Sequence, residues 1–501
     1  MNLKTFIESI NERKFPTPWP GHFIAQKWQT ETSGTAFVSI NPNNNEVLSK
    51  VFYKKSTFET ATQSAQIIRP HLAKQNFEQR IEKLRSLHQA LADYKTDLVR
   101  CLNISAGKPA WEAQQEVEST LTYLKHLSQH SDGLQKDFLQ SLKSRHGGGS
   151  YQLQPIGTIG AYLSFSTPFA SFVHTSTAAI LSGNPLILVI PPAATLLGIF
   201  FSFILENLEF EEGSFANIFT DFKGFYELIE NKSIAAILYT GSLEHCNNLI
   251  KDSSRWTRKK LLIKSGGKNA TIIHSSADLD KAVQTTIIGA FQSCGELCSA
   301  SSRVFVYRSH IPEFKEKLLA ALDQMLIGPS DAHLYSPQSE PNTLGPLHSK
   351  KAVERFLRFQ TMALRDADES WQMGKALERL SSGNFVNPGV HYFNKFSNEG
   401  AHQSNVLFSP DLCVYPYDVL EDVIQWTNEC QNPFVVSFIG ESSAIIDRRH
   451  MLSANNILIY LPTTHVEFIP PQISAGDHNQ HFGHGLSLAF QLSKVQVLTH
   501  A

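Results

Sequence analysis

Lys264-Ser-Gly-Gly-Lys268, followed 34 residues after Lys264 by Cys298 within Phe291-Gln-Ser-Cys-Gly-Glu-Leu-Cys298-Ser-Ala-Ser-Ser-Arg303, is the stretch on which the rest of the chain turns. A cysteine between small and polar residues means little alone. Here a Gly-Gly turn flanked by short apolar runs (Leu261 to Ile263, Thr271 to Ile273), the acidic segment Ala277-Asp-Leu-Asp280 and a helix-like apolar stretch lead up to it. A thiol is nucleophilic as the thiolate, and nearby positive charge favours that form.

Upstream, strands and helices alternate. Gly157 to Leu163, Leu186 to Ile190 and Ile234 to Leu238 read as buried strands, and Ser171 to Leu181, Ala194 to Glu206 and the segment from Leu243 read as helices. That alternation predicts a parallel, doubly wound sheet. No Gly-x-Gly-x-x-Gly follows any of these strands, so the common dinucleotide fingerprint is missing. Nearer the N-terminus, Trp28 to Tyr53 reads as a hairpin around Asn41-Pro-Asn-Asn-Asn45, and Ser56 to Leu142 as helices broken at Pro70 and at Gly107-Lys-Pro109. A second α/β stretch runs from Asp280 to about Gly440, with Val304 to Tyr307 as a strand; Asn456 to Tyr460 and Val495 to Thr499 close the chain.

At 501 residues the chain exceeds one ordinary core and divides into lobes. A formal charge of −2 makes no electrostatic case for nucleic acid or an anionic membrane. The N-terminus lacks the apolar region of a signal peptide, and the apolar run near Leu196 to Leu208 is too short to span a bilayer, so a buried helix and a cytoplasmic protein with reduced thiols are expected. Cys294 and Cys298 are four apart, but no second Cys or His pair follows at zinc-like spacing and the 20 histidines are scattered, so no metal site is expected.

In order and spacing the chain resembles the aldehyde dehydrogenase superfamily over roughly residues 35 to 495. Ile40-Asn-Pro42 with Glu46-Val47 is similar to the family's opening hairpin, and Ser105-Ala-Gly-Lys-Pro-Ala-Trp-Glu-Ala113 with Glu116-Val117 to its Thr-Gly-Lys-Pro…Glu segment. Ala179-Ile-Leu-Ser-Gly-Asn184, Tyr239-Thr-Gly-Ser242 and Ser265-Gly-Gly-Lys268 resemble three further family segments, and Cys298 falls on the nucleophile. The Trp-Glu-Ala continuation looks most like bacterial succinylglutamate-semialdehyde dehydrogenases. The resemblance implies a Rossmann-like cofactor domain (20–128 and 153–262), a catalytic thiol domain (263–458) and bridging or oligomerisation segments (129–152 and 459–501). It also implies NAD or NADP as cofactor, a small-molecule aldehyde as substrate, and a homodimer or homotetramer.

Several family positions carry other residues. The glutamate that activates water falls at Lys264, and the asparagine that helps hold the oxyanion at Ser166. The lysine and glutamate on the strand after Gly-Asn fall at Val189 and Pro192, and the acidic residue for the nicotinamide ribose at Val406. Ile469-Pro-Pro-Gln-Ile-Ser474 stands in place of a glycine-rich loop. Gly241 and Ser242 are left to offer helix-terminal N–H groups to a pyrophosphate, unless Ser242 merely caps its helix. Gly266 and Gly267 are expected at positive φ, Lys268 as framework, and Glu296 as a solvated loop carboxylate. Weak cofactor binding follows. Three readings stay open: impaired NAD(P)-dependent oxidation of an aldehyde through a cysteine thiohemiacetal, a catalytically inactive relative with a structural or regulatory role, and acyl transfer to a thiol such as coenzyme A. In the second, Cys298 is an inherited buried small residue.

Overall fold

The computed structural model describes residues 2–15, 20–146, 150–256, 258–330, 343–430, 433–467 and 485–498. Two seven-stranded sheets organise them. The first runs in the order Lys260–Ser265, Ile234–Gly241, Thr158–Tyr162, Leu186–Ile190, Phe215–Phe219, His22–Ile24, Lys27–Gln29. Its first five strands are parallel and the last two join antiparallel. The chain winds outward in both directions from the pair Thr158–Tyr162 and Ile234–Gly241, so the fold reverses at their carboxyl ends. That is where open α/β sheets bind ligands.

The second sheet has the order Glu369–Gln372, Gly389–Tyr392, Asp411–Tyr417, Ser301–Tyr307, Asn269–Ile273, Val435–Ile439, Asn456–Ile459, parallel except at its first pair. Strand Lys260–Ser265 ends in the first sheet, and after three intervening residues Asn269–Ile273 begins in the second. The Gly-Gly turn is therefore the crossing between sheets. It sets the carboxyl edge of one sheet against the amino edge of the other.

The doubly wound sheet is as expected, and the helix Thr195–Glu206 is buried along nearly its whole length. No described helix is long and apolar enough to cross a membrane. Several boundaries differ from the sequence reading. Phe215–Phe219 and the helix Phe222–Ile229 went unrecognised. Trp28 belongs to a short strand paired with His22–Ile24, and the hairpin proper is Thr35–Ile40 with Val47–Tyr53. The helix Lys55–Lys74 continues through Pro70. One missing N–H near the end of a helix anchored by buried Ala61, Ala65 and Leu72 removes too little to break it. Ser150–Pro155 and Ser493–Leu498 pair with each other as a separate two-stranded sheet; Thr499 and the segment Ile469–Ser474 lie outside the described residues.

His22 joins the hairpin strand Val47–Tyr53 to two strands of the first sheet. Its Nδ1 accepts the N–H of Phe219 (3.1 Å), which leaves Nε2 to donate to the carbonyl of Phe52 (3.0 Å). A second ring proton would point at a donor, and the ring is fully buried, so burial lowers its pKa to about 4. Because the folded value is depressed, the contribution is complete above the unfolded value of 6.5 and is lost as pH falls from there toward about 4. Chemical denaturation at pH 7.5 and pH 4.5 should show wild type losing on the order of 3 kcal/mol more than His22→Asn.

Candidate active site

The candidate residues from the first sheet all stand at its carboxyl edge. Val189 is near the end of Leu186–Ile190, Ser166 follows Thr158–Tyr162, Gly241 ends Ile234–Gly241 with Ser242 directly after it, and Lys264 is next to last in Lys260–Ser265. Lys264 pairs in register with Thr240, and Ser265 with Gly241. From the second sheet, Cys298 comes just before Ser301–Tyr307 and Val406 shortly before Asp411–Tyr417. The two edges meet, and that juxtaposition makes the site.

Cys298 is 9% exposed and packs with Phe408, Phe434, Val435, Leu458 and Val466, with Val406 against the same cluster. The Lys264 ammonium, 7% exposed as a residue, lies 5.7 Å from the centre of the Phe434 ring. Thiol and cation thus share one aromatic wall, although the two residues are far apart in sequence. A cation over a desolvated ring gains about 2 kcal/mol, which helps hold the ammonium there.

The backbone beside the thiol is fixed by a residue that sequence reading passed over. Asn269 gives its amide N–H groups to the carbonyls of Cys298 and Ala300 (both 3.0 Å), and its Oδ1 accepts the N–H of Val435 (3.1 Å). Gly267 adds its own N–H to the Cys298 carbonyl at 3.3 Å. One buried carboxamide therefore ties together the thiol loop and two strand starts. The only hint in the sequence was its place directly after Lys268.

Between the helix Leu279–Phe291 and Cys298 the chain makes three consecutive left-handed residues, Ser293 (φ 50°), Cys294 (φ 54°) and Gly295 (φ 68°). Two of these carry a Cβ, at a cost of about 1–3 kcal/mol each. Glu112 offsets that cost: its carboxylate accepts the Ser293 N–H (2.9 Å) and hydroxyl (2.6 Å). Burial holds the Glu112 carboxyl above its usual range, against the opposing pull of Lys108 and of the Ser293 bonds. Burial, with Glu296 and Glu112 nearby, likewise pushes the Cys294 thiol well up, so it is a poor nucleophile.

Glu296 is buried, not solvated: the left-handed turn swings it inward, and its Oε1 accepts the backbone N–H (3.2 Å) and meets Nδ1 (2.6 Å) of His348. Neither Gly266 nor Gly267 adopts positive φ. Gly266 is needed for close approach, since a Cβ there would stand 2.3 Å from Phe408 Cζ and 3.2 Å from Val406 Cγ1.

Ser166 is buried, and its hydroxyl lies 3.1 Å from that of Ser164. It lines a recess with Lys108, Ser293, Cys294 and Glu296, next to Phe165, whose ring contacts both His348 and Phe408. Lys108 pairs with Glu116 at 2.6 Å, both nearly inaccessible. The other oxygen of Glu116 accepts the N–H groups of Phe169 and Ala170, at the start of the helix Pro168–Ser182. A carboxylate is the natural partner for such a helix terminus. Lys268 donates to the carbonyls of Asn405 (2.8 Å) and His402 (3.4 Å), upstream of Val406 and Phe408.

The candidate cofactor residues differ in their surroundings. Val189 is fully buried in the hydrophobic core, and Val406 faces Gly266 and the thiol cluster. Ser242 Oγ accepts from the His245 N–H at the start of the helix Leu243–Asp252. The space that a Cβ at Gly241 would need is taken by the Tyr239 hydroxyl, which lies 3.1 Å from His245 Nδ1. Backbone N–H groups at that helix start remain the feature suited to a pyrophosphate. Neither Val189 nor Val406 carries a side-chain polar atom that could meet a ribose hydroxyl.

The sequence profile of the Aldehyde dehydrogenase family matches residues 28–448. The chain belongs to that family. It is 25% identical over 319 residues to a succinate semialdehyde dehydrogenase [NAD(P)+] of Escherichia coli, an alignment covering 64% of this chain and 67% of that protein. An aminoaldehyde dehydrogenase of Arabidopsis thaliana is 24% identical over 86% of both chains. Among solved structures, a 1-pyrroline-5-carboxylate dehydrogenase from Thermus with bound NAD superposes with a TM-score of 0.85, over 99% of this chain and 95% of that one, at 19% identity. That likeness concerns the fold.

Proposed function

We propose that Cys298 adds to an aldehyde to give a thiohemiacetal, with NAD(P)+ bound weakly and the later release of acid by water impaired. The observation that carries this reading is the Lys264 ammonium beside the Phe434 ring of the thiol cluster, at the position where the family resemblance expects a carboxylate. An ammonium cannot take a proton from water, and loss of a general base costs about 10²–10⁴ in rate. Val189 and Val406 supply no polar group to ribose hydroxyls. Two lost charged contacts at about 1.5–3 kcal/mol each would move a micromolar cofactor to the millimolar range. The relatives act on succinate semialdehyde and aminoaldehydes by name, which makes a short polar aldehyde the substrate class to try. The paired strands Ser150–Pro155 and Ser493–Leu498 support assembly into a homodimer or homotetramer through their open edges.

The test is calorimetric titration with NAD+ and with NADP+, followed by mixing with succinate semialdehyde while absorbance is followed at the reduced nicotinamide band. Weak heat and a slow or single-turnover signal, lost in Cys298→Ala, is the expected result. A burst released into turnover only by coenzyme A would favour acyl transfer. Rapid sustained turnover with water alone would refute the impairment, and neither heat nor adduct would leave a structural or regulatory role.

A further inference from the structure

Away from the thiol, in the second sheet, four residues with metal-binding side chains face one another. Gly389 pairs with Asp411 and His391 with Cys413. Residues two apart on a strand share a face, so His391, Asp411 and Cys413 all project to the same side. The short helix Ala401–Ser404 places His402 there as well. His391, His402 and Asp411 are fully buried, and their donor atoms all lie within 4.8 Å of one another.

We propose that His391 Nε2, His402 Nε2 and Asp411 Oδ2 bind a structural zinc ion, with Gln360 Oε1 or water as the fourth ligand. Donors about 2.0–2.1 Å from a tetrahedral ion stand roughly 3.3 Å apart. The observed spacings are of that order: His402 Nε2 is 2.9 Å from Asp411 Oδ2, and the ligand atoms of all three residues lie within 4.8 Å of one another. The shorter approach lacks hydrogen-bond direction, since neither His402 Nε2 nor Asp411 Oδ2 has a hydrogen-bonding partner among the described residues. Two buried polar atoms at that distance, not aimed at each other, suit a shared third point.

The outer partners fit too. Metal-bound histidines usually have their second ring nitrogen held by a neighbour. His391 Nδ1 lies 2.9 Å from Ser370 Oγ, and His402 Nδ1 lies 3.6 Å from Cys413 Sγ. Both imidazoles thus present Nε2 inward. The amide nitrogen of Gln360 occupies Asp411 Oδ1 and leaves Oδ2 for the ion, while Gln360 Oε1 is 2.9 Å from His391 Nε2. All three proposed protein ligands are closed to solvent, as in a structural zinc site. Its effect would be to pin the segment from His402, which leads to Val406 and Phe408, onto the sheet. The competing arrangement is a plain His402–Asp411 ion pair.

The full chain would be refolded with Zn²⁺, freed of loose metal by gel filtration, and its zinc counted by mass spectrometry. About one equivalent is expected, with tetrahedral visible bands when Co²⁺ replaces it. His391→Ala should lose the metal and Cys298→Ser should keep it, which separates this cluster from thiol binding. Ser370→Ala, which leaves every ligand in place, should weaken zinc by about 10–100-fold. Zinc far below one equivalent in wild type, or an unchanged content in His391→Ala, would overturn the proposal and leave the ion pair.

Discussion

Lys108→Met is expected to destabilise the protein by about 3–5 kcal/mol, the usual consequence of stranding one partner of a buried ion pair. The Lys108 ammonium is the 2.6 Å partner of Glu116, and both residues are nearly sealed from water. Met matches the length and apolar body of Lys, so packing is kept while the charge goes. Glu116 would then hold an uncompensated charge next to the two N–H groups it receives from Phe169 and Ala170. Glu116→Gln alone strands Lys108 and should be similarly harmful. The double variant Lys108→Met/Glu116→Gln removes both charges, and the Gln oxygen can still accept from the helix start. It should recover most of the loss, giving a coupling well above the roughly 0.5 kcal/mol seen for independent sites. In thermal unfolding the single variants should fall on the order of 10 °C and the double variant much less. If the double variant matches the sum of the singles, the pair does not act as a unit.

The same residues show how much the sequence disclosed. Ser105 to Glu116 stood out by resemblance, and folding explains it: Lys108 and Glu116 hold the helix start just after Ser166, and Glu112 steadies the left-handed turn that leads to Cys298. Strands buried on both faces, such as Leu186–Ile190, read clearly because they are continuous apolar runs. Phe215–Phe219 did not, since the polar Asn217 interrupts its pattern while its amide nitrogen is satisfied by Ser202, a partner on the helix Thr195–Glu206. Asn269, His348 and the His391–His402–Asp411 cluster escaped for a common reason. Their partners come from distant segments, and no spacing along one chain encodes such meetings. Glu296 was misjudged because a short, polar local context looks solvated until a strained turn buries it.

Lys264→Glu is expected to raise steady-state oxidation of succinate semialdehyde at saturating NAD+ by up to about 10²–10⁴-fold, the range associated with a general base. The site suits a carboxylate that must accept a proton: it is shielded from water, and desolvation raises a carboxyl toward neutral pH, where a base works best. The same change removes a cation from the thiol's neighbourhood. For a separation of about 6 Å and an effective dielectric of 20, such an attraction would amount to at most roughly 2.8 kcal/mol. Alkylation of Cys298 by iodoacetamide at pH 7 should therefore slow in Lys264→Glu, and to a lesser degree in Lys264→Met, which loses the cation without gaining a base. The two readouts move in opposite directions only if Lys264 acts on both thiol and water. Slower alkylation with unchanged turnover would put the bottleneck in the nucleotide site, where Val189 and Val406 stand. Unchanged alkylation in both variants would mean that the ammonium over Phe434 does not reach the sulfur's field, and the account of the site built on their shared wall would fail.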